Sequence, residues 1–99
     1  MVNPKELQIA YNRLYSILRH YIWPLNVVES IAELEISIYK SMPDIWEIKN
    51  KLNSLKYKIK NSVDDEGQSI INDCIDKIFD ICNSDDTYYK IYQVSEVIQ

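Results

Sequence analysis

One glycine, Gly67, has to serve a chain of 99 residues. Hairpin turns need left-handed backbone positions and usually take glycine there, so a sheet built from hairpins has almost nothing to turn on. Apolar residues instead recur at steps of three and four through most of the chain, the period of a helix buried on one face. The expected fold is all-α: a single-domain antiparallel bundle of four or five helices over residues 1–99. With 46% apolar and 26% charged residues, such a chain can bury one core. It also exceeds the ~70–80 residues below which small scaffolds need staples. The same lone glycine excludes Gly-rich phosphate loops and dinucleotide fingerprints. A single histidine, His20, and no Cys-x-x-Cys pair exclude the usual zinc sites. No nucleophile has an evident base and orienting group beside it, so no enzyme activity, cofactor or metal is expected.

Local signals place the helices. Asn3-Pro4-Lys5-Glu6 supplies a cap, a proline at the first helical position and an acid in the first turn. Leu7, Tyr11, Leu14, Leu18 and Tyr21 follow as one stripe, which Ala10, Ile17 and Ile22 widen, and Trp23-Pro24 ends the helix. From Pro24 to Lys40, Val27, Ile31, Leu34 and Ile38 keep helical spacing, with Leu25, Val28 and Ala32 as a second row. A helix apolar over so much of its circumference is expected to be the most buried one. Residues 33–39 also alternate as a strand would, but no second strand exists for them to pair with. Ser41-Met42-Pro43-Asp44 gives a Ser cap with an acid three residues on. Ile45, Ile48, Leu52, Leu55 and Ile59 then step as a heptad, with Glu47 and Lys51 spaced as an ion pair. Asn61 to Gln68 reads as a loop, capped by Ser62 or Asp64. A helix over 69–82 buries Ile71, Cys74, Ile75, Ile78, Phe79 and Cys82. Asn83-Ser84-Asp85-Asp86 is expected to break it before a last helix through Tyr88, Tyr92 and Ile98. The expected core is Leu14, Leu18, Ile31, Ile48, Leu52, Leu55, Ile75, Ile78 and Phe79.

No apolar run approaches the ~18–20 residues of a membrane span, and the N-terminus lacks the pattern of a secretory signal. Cys74 and Cys82 would stand ~12 Å apart along one helix, beyond the reach of a disulfide. Two unbridged thiols point to the cytoplasm.

Charge is distributed unevenly. Residues 1–63 carry nine basic and six acidic groups, while residues 64–86 carry eight acidic groups against Lys77 alone. Asp73, Asp76 and Asp80 fall on one helical face, away from the apolar one. Like charges at that spacing repel, and solubility does not require them in register. A clustered negative potential steers a cationic partner. Eight tyrosines stand beside one phenylalanine, and tyrosine is enriched at binding hot spots. Tyr88 and Tyr89 are adjacent and follow Asp85 and Asp86 directly, which makes them a candidate hot spot.

The element Asp85-Asp86-Thr87-Tyr88-Tyr89 after an acidic helix at 69–82 resembles the binding face of colicin-type DNase immunity proteins. Those are small acidic helical bundles that neutralise a nuclease toxin. Lys90 stands where that family has proline. The resemblance implies that Asp85, Tyr88 and Tyr89 form the hot spot and Asp73, Asp76 and Asp80 the specificity helix. The expected function is inhibition of a basic bacterial toxin, a nuclease foremost, by covering its cationic surface, as in immunity proteins of contact-dependent inhibition systems. The alternative is a small phage or host regulator that binds nucleic acid, or a nucleic-acid-binding protein, through the Lys-rich helix 45–60. A net charge of −4 argues against nucleic acid as partner. Asp64-Asp65-Glu66-Gly67 is a faint calcium-loop pattern whose ligand positions do not match. Residues 25–39 are a candidate dimer interface.

Overall fold

The computed structural model describes the backbone of residues 2–98 and the side chains of residues 2–84. Helix α1 (Pro4–Leu18) starts where Asn3 Oδ1 accepts the Lys5 N–H at 2.9 Å, with Pro4 at the position that needs no donor. It stops five residues before the Trp23-Pro24 pair. The N–H groups of His20 and Tyr21 and the Trp23 indole N–H donate to its last carbonyls, at 3.1, 3.1 and 2.9 Å, which satisfies acceptors that a helix end leaves open. Ile22 therefore lies outside the helix and is fully exposed, contrary to the stripe predicted for it. Tyr21, also beyond the helix, packs back on the core with Trp23, ring centroids 5.5 Å apart.

Helix α2 (Leu25–Ile38) follows Pro24, and the alternating stretch at its end is helical. It buries six residues, Val27, Ser30, Ile31, Leu34, Ser37 and Ile38, more than α1 or α3, as its apolar circumference predicts, yet one side of it stays bare. Val27, Ile31, Leu34 and Ile38 face the core, whereas Leu25, Val28, Ala32 and Ile36 face outward. Helix α3 (Ile45–Ile59) is capped by Asp44, not Ser41: the carboxylate accepts the Trp46 and Glu47 N–H groups at 3.0 and 3.3 Å. Asn61 then takes φ 66°, a left-handed position after a helix end that asparagine tolerates.

Helix α4 (Asp65–Ile98) begins four residues earlier than the predicted 69 because Asp64 caps it, accepting the Gly67 N–H at 3.0 Å. Gly67 is thus helical and does not turn the chain. Its use is room: a Cβ there would lie 2.5 Å from the Tyr21 hydroxyl. The break expected at 83–86 does not form, and α4 runs on as one helix of 34 residues. Ser84 donates its hydroxyl to the Ile81 carbonyl at 2.8 Å, so the side chain is satisfied inside the helix and caps no new one.

The four helices form a ring in which α1 packs on α2 and α4, and α3 on α2 and α4. Each neighbouring pair is antiparallel. Glu33 meets Lys51 and Ser30 meets Lys58 across α2 and α3, Lys56 meets Asp76 across α3 and α4, and Tyr39 meets Asn12 across the α1–α2 pair. Short links at 19–24, 39–44 and 60–64 permit only this up-and-down order. The core joins Leu7, Tyr11, Leu14 and Leu18 to Leu34, Ile48, Leu52, Leu55, Ile71 and Ile75, all but closed to solvent. Of the predicted core, Phe79 is only partly buried, because it lies at the flank of the α4 apolar face. Burial pushes the Tyr11 phenol far above its ordinary range, and the neighbouring Glu35 carboxylate adds to this.

A polar seam fixes α3 on α2. Buried Ser37 shares its single hydroxyl proton between the Glu33 carbonyl and Glu47 Oε1, each at 3.1 Å, Glu47 pairs with Lys40 at 2.7 Å, and Lys51 pairs with Glu33 at 2.9 Å. The Lys58 ammonium donates to buried Ser30 Oγ at 2.6 Å. The predicted Glu47–Lys51 pair within α3 is replaced by these contacts, because both side chains find partners on the α2 side of the seam. Hydrogen bonds from Lys40 and Ser37 hold the Glu47 carboxyl below the usual glutamate range, and Lys51 does the same for Glu33. That contribution to stability is complete above the unfolded glutamate pKa of ~4.3 and is lost as pH falls through the lower folded values. Urea midpoints measured against pH should therefore drop on acidification, and less steeply for Glu33→Gln with Glu47→Gln. Leu52→Ala, at the closed centre of the bundle, should cost about 2–5 kcal/mol in urea unfolding.

Candidate docking face on α4

The outward line of α4 is acidic. Asp73 and Asp80 are two turns apart and stand opposite buried Ile71, Ile75, Ile78 and Cys82. Both are exposed, and neither lies within salt-bridge distance of a cation among the described residues. Asp76 is turned about 60° toward α3 and meets Lys56 at 3.5 Å, with both side chains about half exposed. The three predicted carboxylates thus share one side of the molecule, two pointing to solvent and one to the basic helix. Asp85, Asp86, Tyr88 and Tyr89 lie beyond the residues whose side chains are described.

The structure adds Glu66 to the row. It precedes Asp73 by seven residues and is exposed in the first turn of α4. Glu66, Asp73 and Asp80 are spaced ~10.5 Å apart along the helix, beyond the ~8 Å Debye length of physiological salt, so they are screened from one another there and act together only at low salt. The i, i+7 spacing was present in the sequence, but the helix start set at 69 left Glu66 in a loop.

Each side of this line is a groove. Between α1 and α4, Glu6, Ala10, Arg13, Lys77 and Ile81 surround about 260 Å³. The Cys74 thiol lies nearby beside Asp73, pushed up by burial and then by that carboxylate, and it is not a reactive thiolate. Neither Cys74 nor Cys82 is in a disulfide. Between α3 and α4, Asn53, Lys56, Tyr57, Lys60, Gln68 and Asn72 surround about 440 Å³. There Gln68 donates to Asn72 at 3.2 Å, and its own carbonyl oxygen is buried without a donor.

The lysines of α3 are occupied. Lys49 lies 5.1 Å from the centre of the Trp46 ring, Lys51 pairs with Glu33, Lys56 with Asp76, and Lys58 with Ser30. His20 is exposed in the turn after α1. Asp64 to Gly67 opens a helix and does not form a calcium loop, and among the described residues no group of three His, Cys, Asp or Glu side chains converges on a metal position. Among the described residues no helix is long and apolar enough to cross a membrane.

The fold and this face define a four-helix antiparallel bundle with a solvated acidic ridge. Comparison with protein-family models, with curated proteins and with solved structures finds no match. Because Asp73 and Asp80 are exposed and form no ion pair among the described residues, Asp73→Lys with Asp80→Lys should leave the helical circular-dichroism signal unchanged and move the stability read from urea unfolding by no more than about 0.5 kcal/mol per site.

Proposed function

We propose that the chain is an immunity-type inhibitor that docks the outward face of α4 on a basic bacterial toxin and covers the cationic surface a nuclease needs for phosphate. The observation that carries this reading is the contrast between two helices. The lysines at 49, 51, 56 and 58 of α3 find partners within the bundle, whereas Glu66, Asp73 and Asp80 on α4 stand in register and unpaired by any lysine or arginine of the described residues. Asp76 stands three and four residues from Asp73 and Asp80, spacings at which like charges repel on a helix, and a cationic partner relieves that repulsion. The partner-binding residues are Asp73, Asp76 and Asp80, extended by Glu66 on one side and by Asp85, Asp86, Tyr88 and Tyr89 on the other. The protein works stoichiometrically in the cytoplasm and needs no catalytic group.

Nucleic-acid binding through 45–60 is the weaker alternative on the same observation. A phosphate would have to compete with Glu33 for Lys51 and with Ser30 for Lys58. Co-expression with a basic nuclease toxin domain tests the inhibitor reading. Growth should be rescued by the wild type and lost with Asp73→Lys plus Asp80→Lys. In vitro, the double variant should associate with the toxin domain about tenfold more slowly at low salt, with a flatter salt dependence. Unchanged rescue and unchanged rates would remove α4 from the interface. A gel shift at two salt concentrations, negative for the wild type, separates the nucleic-acid alternative.

A further inference from the structure

The outward face of α2 carries a continuous apolar stripe that no other described element covers. Leu25, Val28, Ala32, Ile36 and Tyr39 follow one another at steps of three, four, four and three, within about 40° of a single line along the helix. All five are exposed, Leu25 to 72% and Ile36 to 64%. Hydrophobic residues scattered singly on a surface need no explanation, but a continuous helical stripe does. The stripe has a symmetry of its own. Read outward from Ala32, both directions meet a β-branched residue four positions away and a large residue seven positions away. A small residue at the centre lets two helix axes approach, and large ones at matching distances pack against each other's flanks.

We propose that this face binds a second copy of the chain, α2 against α2, antiparallel, with the two-fold axis passing beside Ala32. Such an interface is isologous: Leu25 of one protomer meets Tyr39 of its partner, and Val28 meets Ile36. Charge selects the same arrangement. Arg19 and Glu35 border one groove of about 260 Å³ between α1 and α2, on the same side of the stripe. Because α1 runs antiparallel to α2, Arg19 lies beside the N-terminal half of α2, near Val28, and Glu35 lies beyond Ala32 in the other half. The two-fold rotation exchanges the halves, so Arg19 of each protomer comes level with Glu35 of the other. A parallel two-fold would place the α1-side grooves of the two protomers on opposite flanks of the seam, so Arg19 could not meet the partner's Glu35. Specific dimers bury about 800 Å² per partner, more than one 14-residue helix supplies. Exposed Tyr15 and Ile22 beside the stripe provide further apolar area. Since α2 and α4 are diagonal in the ring and do not touch, the dimer would leave both acidic ridges outward. The inference is independent of what those ridges bind.

Sedimentation equilibrium on the full chain tests the proposal. The wild type should rise from 11.7 kDa to twice that mass between micromolar and millimolar concentration. Ala32→Glu, at an exposed site, should stay at 11.7 kDa with an unchanged helical signal. Arg19→Glu and Glu35→Arg should each weaken the dimer about tenfold, and the double swap should recover it, the pattern of two groups that face each other. A wild type that stays monomeric throughout, a dimer indifferent to Ala32→Glu, or a double swap without recovery would overturn it.

Discussion

The pairing of α2 with α3 determines what the rest of the surface can do. Lys40, Lys51 and Lys58 are drawn into one seam by Glu47, Glu33 and Ser30. Each contact is modest, since exposed ion pairs are weak and screened by salt. Their joint effect is distribution: these three lysines are held on the α2–α3 side of the bundle, whereas Lys56 reaches across to α4. Had the lysines of α3 lain on the α4 side, Asp73 and Asp80 would be neutralised and the ridge would not exist.

Buried Ser30 and Ser37 give this seam its register. Each bonds back to the carbonyl four residues earlier, at 3.0 and 3.1 Å, and each also meets a charged side chain of α3. A slide of α3 by one turn would keep each hydroxyl on its own helix carbonyl but take the Lys58 ammonium and the Glu47 carboxylate away from their serine partners. Leucine and isoleucine fill the core but do not distinguish one register from the next. The two serines, seven residues apart, do.

The helical core was legible because its signal is periodic. Leu7, Leu14, Leu18, Ile48, Leu52, Leu55, Ile75 and Ile78 repeat at the helix period and are buried. Helix ends were less legible, since Ser41 and Asp44, or Ser62 and Asp64, are both sound caps and only the three-dimensional path chooses between them. The choice of Asp64 moved Glu66 from a loop onto the ridge. The bare side of α2 was not legible for a different reason: periodicity reports how much of a helix is apolar, not whether a neighbour covers it, and Leu25, Val28 and Ile36 stay exposed. Of the candidate site, the shared side of Asp73, Asp76 and Asp80 was visible in their spacing. The separation of Asp76 from the other two was not, because it depends on where Lys56 of α3 lies.

The diagonal placement of α2 and α4 gives the molecule two outward faces of opposite character that share no side chain. One is apolar and edged by charges of both signs, Arg19 and Glu35. The other is acidic, and its apolar residues point inward. An apolar face adds affinity in proportion to the area removed from water, and a charged face mainly governs the rate and selectivity of encounter. Neither face contributes to the core, so exposed substitutions on one should not disturb the other. The bundle is thus a rigid spacer between two surfaces, and its own stability rests on Leu14, Leu52 and Ile75, which belong to neither.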